Sequence, residues 1–317
     1  MIGSKRFLSH WQNILGLLIV SIFLFFALAA PLLAQPEDPE NFSPFLTVKG
    51  VKSRIPLPPG EVAPLGTVPS GILGRQMDVY YTLIWGSRFA LIFGLTVALS
   101  TALIGVLVGA ASGFLGGWFG SLAMRVTDAF LAFPTVVAVV LFQQLLNITL
   151  RLIDMGIYEE AVTQPSLIQE LLSQVDPVMF ALVTFSWMPY ARLMHTMVIG
   201  LRQAEFIQAA RALGAGSGRI ILRHLIPNAI SPAIVLAARD IGGMVLVQAT
   251  FTYIGLGGGS EWGEMLVISR QWIIAPGGNP LTYWWVFLPI TLALILFGIG
   301  WNLLGDGLND LLNPREK

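Results

Sequence analysis

Long uncharged apolar runs, separated by short polar clusters, set the plan of this 317-residue chain. Residues 14–34, 89–124, 129–150 and 271–305 contain no Asp, Glu, Lys or Arg. A helix rising about 1.5 Å per residue needs about 20 mostly apolar residues to cross a hydrocarbon core of roughly 30 Å. A soluble core could bury one such run, but not four and two near-misses. In lipid the backbone must satisfy its own hydrogen bonds, so the runs predict helices. A transmembrane barrel would instead show alternating segments of about 10 residues, and the sequence has none. The expected fold class is an all-α membrane protein with six transmembrane helices.

The first run, Ile14 to Ala34, follows Lys5, Arg6 and His10. Those basic residues, with Ala27-Leu28-Ala29 or Leu32-Leu33-Ala34 as a small-residue site, are features of a cleavable signal peptide. A run of about 21 residues is long for that and right for a span, so residues 1–34 are expected to be a retained helix. Eight prolines between Pro36 and Pro69 make residues 35–84 an extracytoplasmic loop. A short amphipathic helix is expected near Gln76–Trp85. Further spans are predicted at about 87–114, 126–148 (through Pro134), 177–200 (with Pro189), 228–254 and 283–305. The membrane domain is thus 85–306, and 307–317 form a polar tail.

Gly105, Gly109, Gly113 and Gly117 repeat at four-residue spacing on the second span. Small residues on one helical face let two backbones approach closely. Packing within the chain and a dimer interface both satisfy that spacing.

Charge fixes the expected orientation through Lys and Arg in short loops. Between the fourth and fifth spans lie Arg202, Arg211, Arg219 and Arg223 against Glu205. The N-terminus adds Lys5 and Arg6 and the C-terminus Arg315 and Lys317, whereas 149–176 and 255–281 are net acidic. The termini and the Arg-rich segment are therefore expected in the cytoplasm.

Overall, 55% of residues are hydrophobic and 11% charged, with 18 basic against 18 acidic residues. That balance suggests no nucleic-acid surface. With no cysteine, disulfides, thiolate metal sites and a Cys nucleophile are excluded. The lysines are Lys5, Lys49, Lys52 and Lys317, and none ends a glycine-rich loop of the Walker A kind. ATP hydrolysis would have to come from another chain. His10, His195 and His224 show no metal-ligand spacing, so no metal site and no catalytic residue is expected.

Charges inside predicted spans are functional candidates, because each costs about 2.5–3.5 kcal/mol at a helix centre on insertion scales. Arg192, Arg239 and Asp240 qualify, and Gln248 is a polar candidate beside them. Adjacent helical residues point about 100° apart, so Arg239 and Asp240 are poor partners for each other. Each is expected to meet another helix, with Arg192 as one partner, or to line a polar pathway.

The Arg-rich segment says most. Glu205 to Ala215 has good helix propensity, Gly214, Gly216 and Gly218 break it, and a second short helix runs from near Arg219 towards Pro227. Small residues at 209, 210 and 212 would let another protein pack close to the backbone.

Glu205-Phe206-Ile207-Gln208-Ala209-Ala210-Arg211-Ala212-Leu213-Gly214-Ala215 resembles the EAA loop of ABC importer permeases, a helix–turn–helix that inserts into a groove on an ATPase subunit. Further matches follow in order over about 64–314: Pro64-Leu65-Gly66-Thr67, Gly113-Phe114-Leu115-Gly116-Gly117-Trp118, Asp128-Ala129-Phe130-Leu131-Ala132-Phe133-Pro134, Tyr253-Ile254-Gly255-Leu256-Gly257, and Asn302-Leu303-Leu304-Gly305-Asp306-Gly307-Leu308. Together they resemble the second permease subunit of the dipeptide, oligopeptide and nickel group.

That resemblance implies the type I importer permease fold, with 203–226 as the coupling loop. Its coupling residues would be Glu205, Gln208, Ala209, Ala210, Arg211, Leu213, Gly214, Ala215, Arg219 and Pro227. It implies ABC ATPase subunits that bind ATP and Mg, a second homologous permease, an external binding protein, and a bacterial inner membrane. Peptides or similar small solutes would be the cargo. Two positions depart from the family: Gln208 and Gln248 stand where it usually has Glu. The rival reading is an ion-coupled secondary transporter built on Arg239, Asp240 and Arg192.

Overall fold

Residues 7, 10–37, 43–60, 62–71, 74–154, 176–275 and 277–312 are described by a computed structural model. Lys5, Arg6, most of the acidic loop at 149–176 and the basic end of the tail lie outside those residues. α1 (Trp11–Leu33) leads to three short strands, β1 (Thr47–Lys52), β2 (Thr67–Ser70) and β3 (Arg75–Asp78), and then to α2 (Val79–Leu115). Next come α3 (Gly117–Leu131), α4 (Thr135–Asp154), α5 (Pro177–Ser186) and α6 (Met188–Leu201). α7 (Glu205–Ala212), α8 (Ser217–Ile220), a π-helical turn (Ile221–Leu225) and α9 (Ile226–Ala229) follow. The chain then forms α10 (Ser231–Tyr253), α11 (Glu261–Ile274), a 3₁₀ turn (Trp284–Val286) and α12 (Leu288–Leu312).

Among the described residues, α1, α2, α10 and α12 are each long and apolar enough to cross a membrane. The expected straight span at 126–148 is instead a pair, α3 and α4, bent by 87°. Pro134 sits at the break. It has no N–H to extend the helix, and its ring disfavours helical geometry at Phe133. Counted as one crossing, the pair is a fifth span. The expected span at 177–200 is also divided, into α5 and α6, which meet at Trp187. Pro189 falls in the first turn of α6, where a missing N–H is tolerated. Length and apolarity alone therefore support four or five crossings rather than six.

The proline-rich stretch contains a sheet in the order β1-β3-β2, antiparallel throughout. Gln76 holds it together: its amide accepts from Thr67 Oγ1 at 2.6 Å and donates to Ser53 O at 2.7 Å. No separate amphipathic helix forms at Gln76–Trp85. Gln76 to Asp78 are strand, and α2 starts at Val79 and runs unbroken for 37 residues. Asp78 starts the helix by accepting from the Tyr80 and Tyr81 N–H groups at 2.8 and 3.3 Å. Burial pushes its carboxyl above the usual range, against the pull of those two N–H groups.

The chain divides into two compact units. The first holds Met1–Phe7, Thr96–Ala238 and Gly305–Lys317. In it Gly105, Gly109 and Gly113 lie against α6. A Cβ at Gly105 would strike Trp187 O and Tyr190 Cβ, at Gly109 Ala191 O, and at Gly113 His195 O at 2.8 Å. These three glycines pack within the chain. Gly117 does not join them, because it sits at the start of α3 with open space around its missing side chain. Ser112 adds a polar contact to the same seam, 2.8 Å from His195 Nδ1.

The second unit holds Leu8–Leu95 and Arg239–Leu304. Here α1 is built into the packing. A Cβ on Gly16 would stand 2.6 Å from Leu303 Cβ, and one on Gly300 would stand 2.7 Å from Ile19. Phe23 packs edge-on against Trp262 and Phe297 at 6.0 and 5.2 Å. At the helix end, Ala34 O accepts from Trp85 Nε1 at 2.8 Å.

Candidate functional site

The polar segment after α6 folds as the sequence predicts, and its geometry explains why. α7 ends at Ala212, and Gly214 takes φ +79, a left-handed conformation that side-chain-bearing residues resist. Ala215 N–H donates to Ala210 O at 3.0 Å and Gly214 N–H to Arg211 O at 2.9 Å. This paired closure is a Schellman motif, which satisfies the last helical carbonyls and reverses the chain. α8, the π turn and α9 then lead back towards α10.

One face of this helix–turn–helix is anchored. Ile207, Ala210, Ile220, Leu225 and Ala229 are buried in a cluster with Phe114 of α2 and Val198 of α6. The guanidinium of Arg211 sits 4.9 Å from the Phe114 ring centroid, a cation–π contact that fixes the long side chain. Apolar burial on one side and backbone closure at the turn make the segment a preformed body.

The other face is open. Leu213 is 89% exposed and Leu222 61%, and Phe206 is also exposed. Glu205, Gln208, Ala209, Arg211, Arg219 and Pro227 are exposed as well. An apolar group standing in solvent beside charges is the arrangement of a partner-binding surface. Leu222 and Phe206 were not singled out by sequence; their signal was an apolar residue inside a charged, non-spanning stretch.

Ala210 is a correction. It belongs to the buried side, and Ala209 and Ala212 are the small residues that face outward. Alanine carries no directional signal, so the sequence alone could not separate them. At Gln208, the amide donates to Gln203 O at 2.9 Å, a bond that an ionised glutamate could not make.

Arg192 pairs with Asp128 of α3, and both side chains are half-exposed. Arg239 is exposed and Asp240 partly so. Gln248 is 5% exposed and donates to Gly258 O at 2.8 Å. Thr252 Oγ1 continues the clamp, donating to Gln248 O and accepting from Ser260 N–H at 3.0 and 3.1 Å. Gln248 therefore holds the glycine turn onto α10 and does not line an open pathway.

Comparison with known proteins agrees with this architecture. Residues 102–317 match the family described as binding-protein-dependent transport system inner membrane component. The dipeptide transport system permease protein DppC of Alkalihalophilus pseudofirmus is 31% identical, over 99% of this chain and 89% of its own length. The probable D,D-dipeptide transport system permease protein DdpC of Escherichia coli K12 is 30% identical, over 82% and 76%. The glutathione transport system permease protein GsiD of Escherichia coli O1:K1 is 30% identical, over 77% and 71%.

Proposed function

The chain belongs to the family of binding-protein-dependent transport system inner membrane components, and on that premise we propose that it moves peptides. It is a permease subunit of an ABC importer, a transport subunit rather than an enzyme. In this reading α1, α2, the α3–α4 pair, the α5–α6 pair, α10 and α12 make six crossings with both termini in the cytoplasm. α1 remains as the first of them, residues 35–84 form the external loop, and 307–317 form the tail. The relatives named for dipeptide and glutathione transport support a peptide cargo.

The segment from Glu205 to Pro227 is the docking element for a partner ATPase. The observation that carries this is its two-sidedness: Ile207, Ile220 and Leu225 are buried on one face, while Leu213 stands 89% exposed at the turn. A groove on the ATPase would cover Leu213, Phe206 and Leu222, and Arg211 and Arg219 would meet acidic groups at its rim. Closure of the ATPases on ATP would then move the segment as a rigid body, and the spans with it, between two states. The ATPases hold ATP and Mg, a second permease completes the pathway, and an external binding protein delivers the cargo.

Leu213→Asp tests the docking. The side chain meets solvent in the isolated chain, so the variant should insert and fold. It should lose most ATPase co-purification and most ATP-driven peptide uptake, at a cost of about 2 kcal/mol or more for an interface anchor. Normal uptake by this variant would sink the docking assignment.

A further inference from the structure

The half-exposed ion pair between Asp128 and Arg192 lies deep along its helices. Arg192 precedes Arg202 by about 15 Å of helix and Asp128 follows Gly117 by a similar length. Measured along the helices, that is about half the thickness of a hydrocarbon core of roughly 30 Å. Charges at such a depth do not face lipid, and in membrane proteins they turn to a partner helix or a watered pathway.

The pair is also the centre of a larger polar surface. On α3, Ser121, Arg125 and Asp128 recur at spacings of four and three, and all three are exposed. That spacing places them on one helical face. The opposite face, Gly120, Met124 and Thr127, is the buried one. On α6, Arg192 and Thr196 are exposed one turn apart, and Thr196 Oγ1 donates to Arg192 O at 3.0 Å. Two polar stripes thus run side by side, joined by the ion pair.

We propose that these stripes are a wall of the translocation pathway and that Asp128, Arg192 and Arg125 form a subsite for the charged ends of a zwitterionic peptide. This inference rests on the peptide reading above. The surface carries two guanidinium groups and one carboxylate, so it attracts the peptide's carboxylate first. Arg192 offers a planar fork that matches a carboxylate, and Arg125 lies one turn from Asp128. Asp128, released from Arg192, receives the peptide ammonium. Each end of the solute replaces a partner that the pair loses, so passage leaves no charge unpaired at mid-membrane.

The test uses the complete transporter, with both permeases, the ATPases and the binding protein, in proteoliposomes, and reads ATP-driven uptake of trialanine. Asp128→Asn and Arg192→Gln should each lower uptake by about tenfold or more, the loss expected for one hydrogen bond to a charged group. The exchanged pair, Asp128→Arg with Arg192→Asp, should stay impaired, although it co-purifies with its partners and melts like the wild type. Recovery of near-normal uptake in the exchanged pair would mean that the two residues only join α3 to α6, and would overturn the subsite. Normal uptake in either single variant would do the same, as would uptake lost together with assembly in the single variants. If the wild-type complex takes up no trialanine with ATP, the peptide reading fails and the subsite fails with it.

Discussion

Two glycine-rich regions of the first unit use the same residue in opposite ways. On α2, Gly105, Gly109 and Gly113 have backbone or side-chain atoms of α6 where a Cβ would be, whereas Gly214, Gly216 and Gly218 have nothing within 4 Å of that position. The first set is a contact surface, and its requirement is volume. The second is a turn, and its requirement is backbone conformation, at Gly214 alone: Gly214 takes φ +79, while Gly216 takes φ −69. In a span, evenly spaced glycines mark where another backbone approaches. In a polar connector, the glycine that matters is the one in left-handed geometry.

The largest effect should come from filling the seam. Gly109→Leu would drive a branched side chain into the Ala191 carbonyl and Met194, an overpacking of about 3 kcal/mol or more. Folded yield and melting temperature in detergent should both drop sharply. A variant that melts like the wild type would show that the seam has slack and would end the volume argument. Gly214→Val is the intermediate case. A β-branched residue in left-handed geometry costs about 1–2 kcal/mol locally, so the protein should remain folded while ATPase co-purification and uptake fall. If Gly214→Val melted as badly as Gly109→Leu, the turn would be serving the core and the contrast would be wrong. The smallest effect belongs to Gly216→Ala, at ordinary φ and in open space, which should stay within about 0.5 kcal/mol of the wild type and transport normally. Damage there equal to that of Gly214→Val would mean that the partner, rather than the backbone, demands glycine.

Much of this was legible because lipid allows so few solutions. Uninterrupted apolar runs gave α1, α2 and α12 directly, and α10 was legible despite the charged pair Arg239-Asp240 inside it. Pro134 was misleading: prolines occur within spans, as Pro31 does inside α1, so residue type alone could not announce an 87° bend. The sheet escaped notice because strands of four to six residues, two of them carrying charges, leave little periodicity to read. In the docking segment, propensity and the position of Gly214 located the turn, but only tertiary contact with Phe114 and Val198 decided which alanine faces inward. The partner of Arg192 was hidden for the same reason. Asp128 lies 64 residues away in sequence, and no local rule connects them.

The seam between α1 and α12 has a consequence for the timing of synthesis. Gly16 meets Leu303 and Leu304, so α1 leaves the ribosome about 290 residues before this neighbour. At roughly 5–20 residues per second, α1 must wait in the bilayer for tens of seconds with that face occupied by lipid or by an insertion factor. A chain interrupted before α12 would leave Gly16 and Ile19 facing nothing of their own. The second unit is therefore closed by α12, and its assembly can be judged only once that helix has been made.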